Sequence, residues 1–410
     1  MELKTRYQYT YFIYPYVIEE KNYSKYLLRL LKDKKCTMKK FDIAKDLSIY
    51  QNFLPNIRKF MFWSFNYTKQ QMRELESLDN ELKANILSKY PCTMFDYNIK
   101  QNVQGKVQNE DGIYFDITKV ELICFNTGIC FLLFKTIIDG ENNKFSDVVN
   151  FNYKFRDIKQ QFQLSSFDKI RIQTDAFEDV KSFTDFIGQI TGANLEAAKY
   201  DIDTERFLSY SYACIEQDYW NEYRKFENIE HNFIKFTNIM PASNIASFIK
   251  DESVTISEWK YAKLGLTKQG ITLFSSATEM NNYTILPEEF ETQYFYTYIL
   301  NLYKKIYLKK LGFEFSNSKN VKKARKKFIE FTKKIWIQEI TEDEAGTIIN
   351  HRLNEVLELD SLYLSTKNKY DVLYKDLNIE KNSKSTIIIA FILLASLIFN
   401  IMNFIQILNK

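Results

Sequence analysis

Apolar and polar positions along the first third of the chain alternate in short runs. Tyr7 to Ile18 is rich in aromatic and β-branched residues and predicts a strand, which Pro15 should confine to a sheet edge. Asn22 to Leu31 predicts a short helix. Pro55 suits the first turn of another, running through Trp63. Met72, Leu75, Leu78, Leu82 and Ile86 recur at helical spacing and predict one helix over Thr68 to Ser88. Ile113 to Phe125 and Ile129 to Ile138 read as strands joined by the turn Asn126-Thr127-Gly128, a hairpin. Phe207 to Ile215 reads as a strand and Glu222 to Ile239 as a helix. A second hairpin spans Trp259 to Leu266 and Ile271 to Ser275, around Lys268-Gln269-Gly270.

Beyond Pro287 the period becomes helical throughout. Phe290, Tyr294, Tyr298 and Leu302 line one face of a helix over Glu288 to Leu311, and Lys322 to Ile337 is a basic helix. Thr341-x-x-Glu344 resembles a capping box and opens a helix reaching to about Ile379. Along it Ile349, Val356, Tyr363, Tyr370 and Leu377 recur every seven residues, while the companion stripe is half polar. A weak coiled coil and packing on one neighbouring helix of the same chain both fit.

The clearest signal follows Lys384, where no charge appears until Lys410. Ser385 to Asn409 would form about 37 Å of helix, against roughly 30 Å for a bilayer core. Ile387 to Phe399 is apolar on every face, as a span is and a one-sided core helix is not. Lys375, Lys381 and Lys384 flank it upstream, which by the positive-inside rule places everything before it in the cytoplasm. The expected fold is an α+β (mixed α/β) cytosolic domain over residues 1–285. Long stalk helices with a basic segment follow over 286–383, then one C-terminal transmembrane helix over 384–410. The expected location is the cell membrane, single-pass, with the lipid bilayer as first partner.

Composition sharpens this. Ten glycines and five prolines among 410 residues argue against Gly-rich phosphate loops and turn-dense β-sandwiches. Two histidines, His231 and His351, leave little material for a His-based metal centre or a Ser–His–Asp triad. Five cysteines without a CxxC read as free thiols in a reducing compartment. No P-loop, GxGxxG or HExxH occurs, carboxylates are plentiful without a distinguished pair, and no cofactor is implied by the residues themselves. The net charge of +4 hides an uneven distribution, since Tyr303 to Lys334 holds twelve Lys/Arg and two Glu.

Three groups of residues are candidates for function. Arg224 and His231 have the Arg-x₄₋₆-His spacing of HEPN-type ribonucleases, in which arginine stabilises phosphate charge and histidine positions a 2′-hydroxyl; the motif is very short and Lys225 stands where a polar residue is usual, so a solvated helix face is the simpler reading. Lys322, Lys323, Arg325, Lys326, Lys327, Lys333 and Lys334 form a cluster suited to anionic headgroups, while a helix carrying charge on its solvated outer face is the blander reading. Nucleic acid is disfavoured there, because no aromatic stacking platform accompanies the charge. Asn400, Asn403 and Gln406 are spaced by three within the apolar segment, so amides on one helix face can join neighbouring spans or simply mark the interfacial end.

Asn400-Ile401-Met402-Asn403-Phe404 resembles the Gly-Met-Asn-Phe that ends the first span of CorA-type divalent-cation transporters. The order of a cytosolic α/β domain and a long helix entering the membrane is similar too. Met402, Asn403 and Phe404 match the motif, Ile401 stands where it has glycine, and the motif's second span is not found after it. The resemblance implies a homo-oligomer whose first spans line a pore, with Asn403 facing hydrated Mg²⁺ and Asn400, Met402 and Gln406 as pore or helix-contact residues; the metal ligands are otherwise unknown. The expected function is a cytosolic sensor coupled to an oligomeric bundle of single spans that conducts ions. The rivals are a membrane-acting antiviral defence effector, the anchored ribonuclease, and a tethered scaffold.

Overall fold

The structure is a computed structural model that describes residues 2–98, 103–107, 113–140, 143–157, 171–174, 177–192, 197–203, 205–216, 220, 226–242, 253–317, 321–336 and 339–408. The strands are β1 (Thr5–Val17), β2 (Cys36–Met38), β3 (Cys92–Tyr97), β4 (Val103–Val107), β5 (Ile113–Phe125), β6 (Ile129–Ile138), β7 (Arg171–Thr174), β8 (Phe177–Ser182), β9 (Leu208–Ile215), β10 (Val254–Ile256), β11 (Ala262–Thr267) and β12 (Gly270–Ser276). The helices are α1 (Tyr23–Lys32), α2 (Leu47–Asn52), α3 (Pro55–Met61), α4 (Lys69–Ser77), α5 (Asn80–Leu87), α6 (Phe145–Phe155), α7 (Phe183–Thr191), α8 (Glu230–Thr237), α9 (Leu286–Glu289), α10 (Phe295–Asn317), α11 (Val321–Lys334), α12 (Glu344–Val356) and α13 (Leu359–Leu408). The fold is mixed α/β, with the apolar segment inside the last helix. Two compact units divide it: residues 1–307 with 337–359, and residues 308–336 with 360–410. Of the helical stretch expected over 286–383, the parts 286–307 and 337–359 thus belong to the first unit.

In the first unit all strands join one sheet in the order β10-β11-β12-β9-β1-β6-β5-β4-β7-β8, with β3 pairing β5 and β2 pairing β3. Neighbours are antiparallel except β9 and β12. β1 lies in the middle, between β6 and β9, and not at the edge that Pro15 suggested. The reason is local. Ile18 N–H donates to Gly128 O on the β6 side, so alternation turns the Pro15 nitrogen toward the other side. There β9 has already ended, at the pair Ile13–Leu208, and no bond is missed.

Both faces of β1 are buried. Phe12, Tyr14 and Tyr16 enter the main apolar core with Phe151 and Phe155 of α6 and Phe233 and Phe236 of α8. Tyr9 and Tyr11 face the other way. Tyr9 donates to Pro287 O (2.9 Å), and Tyr210 of β9 stacks on Phe290 at 4.0 Å while donating to its carbonyl at 2.5 Å. Tyrosines suit this second face because each buries a ring yet finds an acceptor for its hydroxyl.

Both hairpins form as expected. Three helical expectations need correction. Thr68 to Ser88 is two helices: Thr68 and Gln71 close a capping box on α4, and Asp79 Oδ1 then caps α5 by accepting from Glu81 N–H and Leu82 N–H. The helix over Glu222 to Ile239 shrinks to a 3₁₀ turn at Phe226–Asn228 and α8, residues 221–225 lying outside the described residues. The long helix from Thr341 starts instead at the cap Asp343, whose Oδ2 accepts from Gly346 N–H (2.7 Å). It then breaks at Leu357–Glu358, where Glu358 has φ +56°. The seven-residue stripe is divided by this break, so it cannot form one continuous coiled-coil seam.

In the second unit α11 packs on α13. Ala324, Phe328 and Phe331 are buried at helical spacing. Phe328 meets Tyr363 (5.7 Å) and Tyr370 (5.2 Å), and Trp336 stacks on Tyr363 at 4.4 Å. Arg325 lies over Tyr370. The stripe positions Tyr363 and Tyr370 therefore contact a neighbouring helix of the same chain, the helices running antiparallel.

Candidate functional site

Within α13, Ser385–Met402 has a mean hydropathy of 2.4 and no buried residue. Phe391 is 70% and Phe399 66% exposed. These 18 residues span about 27 Å as helix, and α13 continues to Leu408. Asn400 and Met402 are exposed on it. Asn403 and Gln406 are helical in backbone. Steps of three residues place 400, 403 and 406 within an arc of about 120°.

The basic cluster is split between two environments. Lys322, Lys323, Lys326, Lys333 and Lys334 are exposed on α11, whereas Arg325 and Lys327 are half-buried, Lys327 pairing with Glu314 at 2.8 Å. Tyr370, beneath Arg325, precedes Ser385 by 15 residues, or about 22 Å of helix. Screening at physiological salt acts over about 8 Å. Lys384, at the start of the apolar segment, is far nearer to it along the chain. His231 is exposed on α8, and Arg224 lies outside the described residues, so no ribonuclease geometry can be built from them.

A site that sequence reasoning missed lies in the first unit. A cavity of about 450 Å³ opens against the tyrosine face of the sheet, bounded by Lys39 to Ile49, β5 and the segment Tyr283 to Tyr296. Its floor is a charged network. Lys39 donates to Glu121 Oε1 and, at 3.0 Å, to Tyr296 OH; Lys119 pairs with the same Glu121 oxygen at 3.1 Å. Beside it Glu291 accepts from Tyr11 OH (2.5 Å) and from Lys135 (2.6 Å).

A bulge puts these charges there. The β5–β6 register shifts between Ile117 and Lys119. Before the shift the odd residues Ile113, Phe115 and Ile117 face the main core; after it the even residues Val120, Leu122 and Cys124 do. The extra residue thus turns Lys119 and Glu121 onto the tyrosine face instead of into hydrocarbon. Glu291 and Thr292 come from a π-helical turn, Phe290–Tyr294, between α9 and α10.

The network fixes protonation. Burial would raise the Glu121 carboxyl, but Lys39 and Lys119 outweigh it and hold it at about 2. Burial would lower the Lys39 ammonium, and Tyr296 and Glu121 instead raise it well above its ordinary value. Asp96, on β3, is raised by burial and then by Glu121, against the pull of Lys39, and its Oδ1 is buried without a hydrogen-bond partner among the described residues. Among the described residues no three His, Cys, Asp or Glu side chains come together to hold a metal ion. The signal available in sequence was a glutamate inside the apolar run Val120-Glu121-Leu122-Ile123 and a lysine after Phe134. Comparison with family models, curated proteins and solved structures finds no match.

Proposed function

We propose that this chain is a membrane-anchored sensor, its first unit cytoplasmic and its last helix one span of a homo-oligomeric bundle. The observation that carries the reading is the bare apolar surface of Ser385–Met402. Twelve large apolar side chains from Ile387 to Met402 are each more than half exposed. Leaving them in water costs on the order of 10 kcal/mol, comparable to the whole stability of a domain. A bilayer removes that cost without any partner protein. Lys375, Lys381 and Lys384 upstream support the cytoplasmic orientation. The amides at 400, 403 and 406 support self-association through inter-span hydrogen bonds, and a ring of them would give ions a polar path.

The test is the native mass of the full-length protein in nanodiscs, after alkaline carbonate extraction has shown whether it is integral to the membrane. A ring of four or more subunits is expected. A monomer or dimer overturns the bundle and its ion path, because one or two single spans cannot enclose one. Release by carbonate overturns the anchor itself.

A further inference from the structure

The charged cavity has the features of a built binding site, and nothing above gives it a ligand. Its volume of about 450 Å³ falls within the range of small-molecule sites. Two irregularities of the backbone, the β5 bulge and the π-helical turn, both deliver side chains to it.

The hydrogen-bond inventory of the floor is incomplete. An ammonium has three donors. Lys39 uses two, on Glu121 and Tyr296, and Lys119 uses one. Tyr296 accepts from Lys39, so its own O–H proton remains to be given, and the residue is only 5% exposed. Among the described residues it donates no hydrogen bond. A buried donor left unspent is costly, and an acceptor in the cavity would recover that cost. These spare donors fit an oxygen anion.

The lining also holds acceptors that no cation satisfies. Glu288, on α9, and Asp46, at the start of α2, both line the cavity. Neither forms an ion pair among the described residues, in contrast to Glu121 and Glu291. A purely anionic ligand would meet these carboxylates, and a purely cationic one would meet Lys39 and Lys119. Tyr11, Phe41 and Phe295 supply apolar and π surface between.

We propose that the cavity binds a small zwitterion of the free α-amino-acid class. Its carboxylate accepts from Tyr296, Lys39 and Lys119, and its ammonium lies against Glu288 and Asp46. This names the ligand class for the sensor reading and rests on it only for the consequence of binding; occupancy of the cavity stands apart from how the spans assemble.

The experiment is isothermal titration of the full-length protein in nanodiscs with each proteinogenic L-amino acid. Any binder is then compared with its N-acetyl derivative and its decarboxylated amine. At least one amino acid should bind saturably with a Kd below about 1 mM, and losing either charged end should weaken it about tenfold or more. Tyr296→Phe, which keeps the ring but loses both the hydroxyl proton and the oxygen that accepts from Lys39, and Glu288→Gln should each raise Kd about three- to tenfold, Glu288→Gln with the unliganded melting temperature unchanged. Absence of saturable binding by every amino acid up to about 10 mM overturns the proposal. So does equal binding of either one-ended analogue, or unchanged affinity in both variants. A monomeric native mass with binding intact would defeat the bundle alone; a ring without binding would defeat this site alone.

Discussion

Lys39 and Glu121, 82 residues apart in the chain, form a buried ion pair that Tyr296 and Lys119 complete. Glu121 is 5% exposed, so neither water nor salt screens it effectively. Removing Lys39 leaves the buried Glu121 carboxylate with only the part-exposed Lys119 as partner. Lys39→Met should therefore destabilise the first unit by about 3–5 kcal/mol. Lys39→Met with Glu121→Leu should recover much of that loss, since the one charge left over, Lys119, is 38% exposed and solvated. Urea denaturation of the single and double variants checks this; equal losses in both would show that packing dominates.

Acid should act through the same pair. The folded Glu121 carboxyl sits at about 2, below its ordinary 4.5. Between those values the unfolded chain takes up a proton that the folded one refuses, so stability falls as pH falls, by up to about 1.4 kcal/mol per unit. The contribution is complete above about pH 4.5 and gone below about 2. Asp96, raised in the fold, acts in the opposite sense. Glu121→Gln isolates the effect: its stability against pH over that window should be flatter than the wild type's.

Gly128 closes the central hairpin at φ +82°, and a Cβ there would lie 2.0 Å from Ile18 O. That carbonyl cannot move without disturbing β1. Gly128→Ala should cost at least about 1–3 kcal/mol from conformation alone, with the clash added. Thermal unfolding measures it, and a loss below 1 °C would contradict the close approach.

Glu358 breaks α12 from α13 in the left-handed region and pairs with Lys268 at 2.6 Å. Both side chains are about 60% exposed, so the pair is worth at most about 1 kcal/mol. Glycine adopts this conformation freely. Glu358→Gly should leave the melting temperature level or raise it slightly, while Glu358→Val should lower it. A fall with glycine as large as with valine would place the weight on the ion pair.

Trp336 and Tyr363 stack at 4.4 Å with a 7° interplanar angle. A double-mutant cycle to leucine should give a coupling of about 0.5–1.5 kcal/mol. Additive losses would mean that the two rings are held independently.

What the sequence determined follows from local and additive physics. Both hairpins, the central strand and the apolar C-terminal helix were legible because side-chain period, turn chemistry and summed hydropathy are read within a few residues of each position. Ser385–Met402 is apolar wherever it lies. Tertiary structure decided the rest. Pro15 sits in a central strand because its neighbour β9 ends first, a fact of register between distant segments. The stripe from Ile349 to Leu377 was divided by one left-handed residue, Glu358, whose conformation no periodicity reports. The cavity depended on a single extra residue in β5, which carried Lys119 and Glu121 from one face of the sheet to the other. Strand parity is set by pairing with β6, and Lys39 and Tyr296 reach Glu121 only through the folded chain. An isolated glutamate in an apolar run signals a buried charge, but the cations that make it tolerable are chosen by the fold.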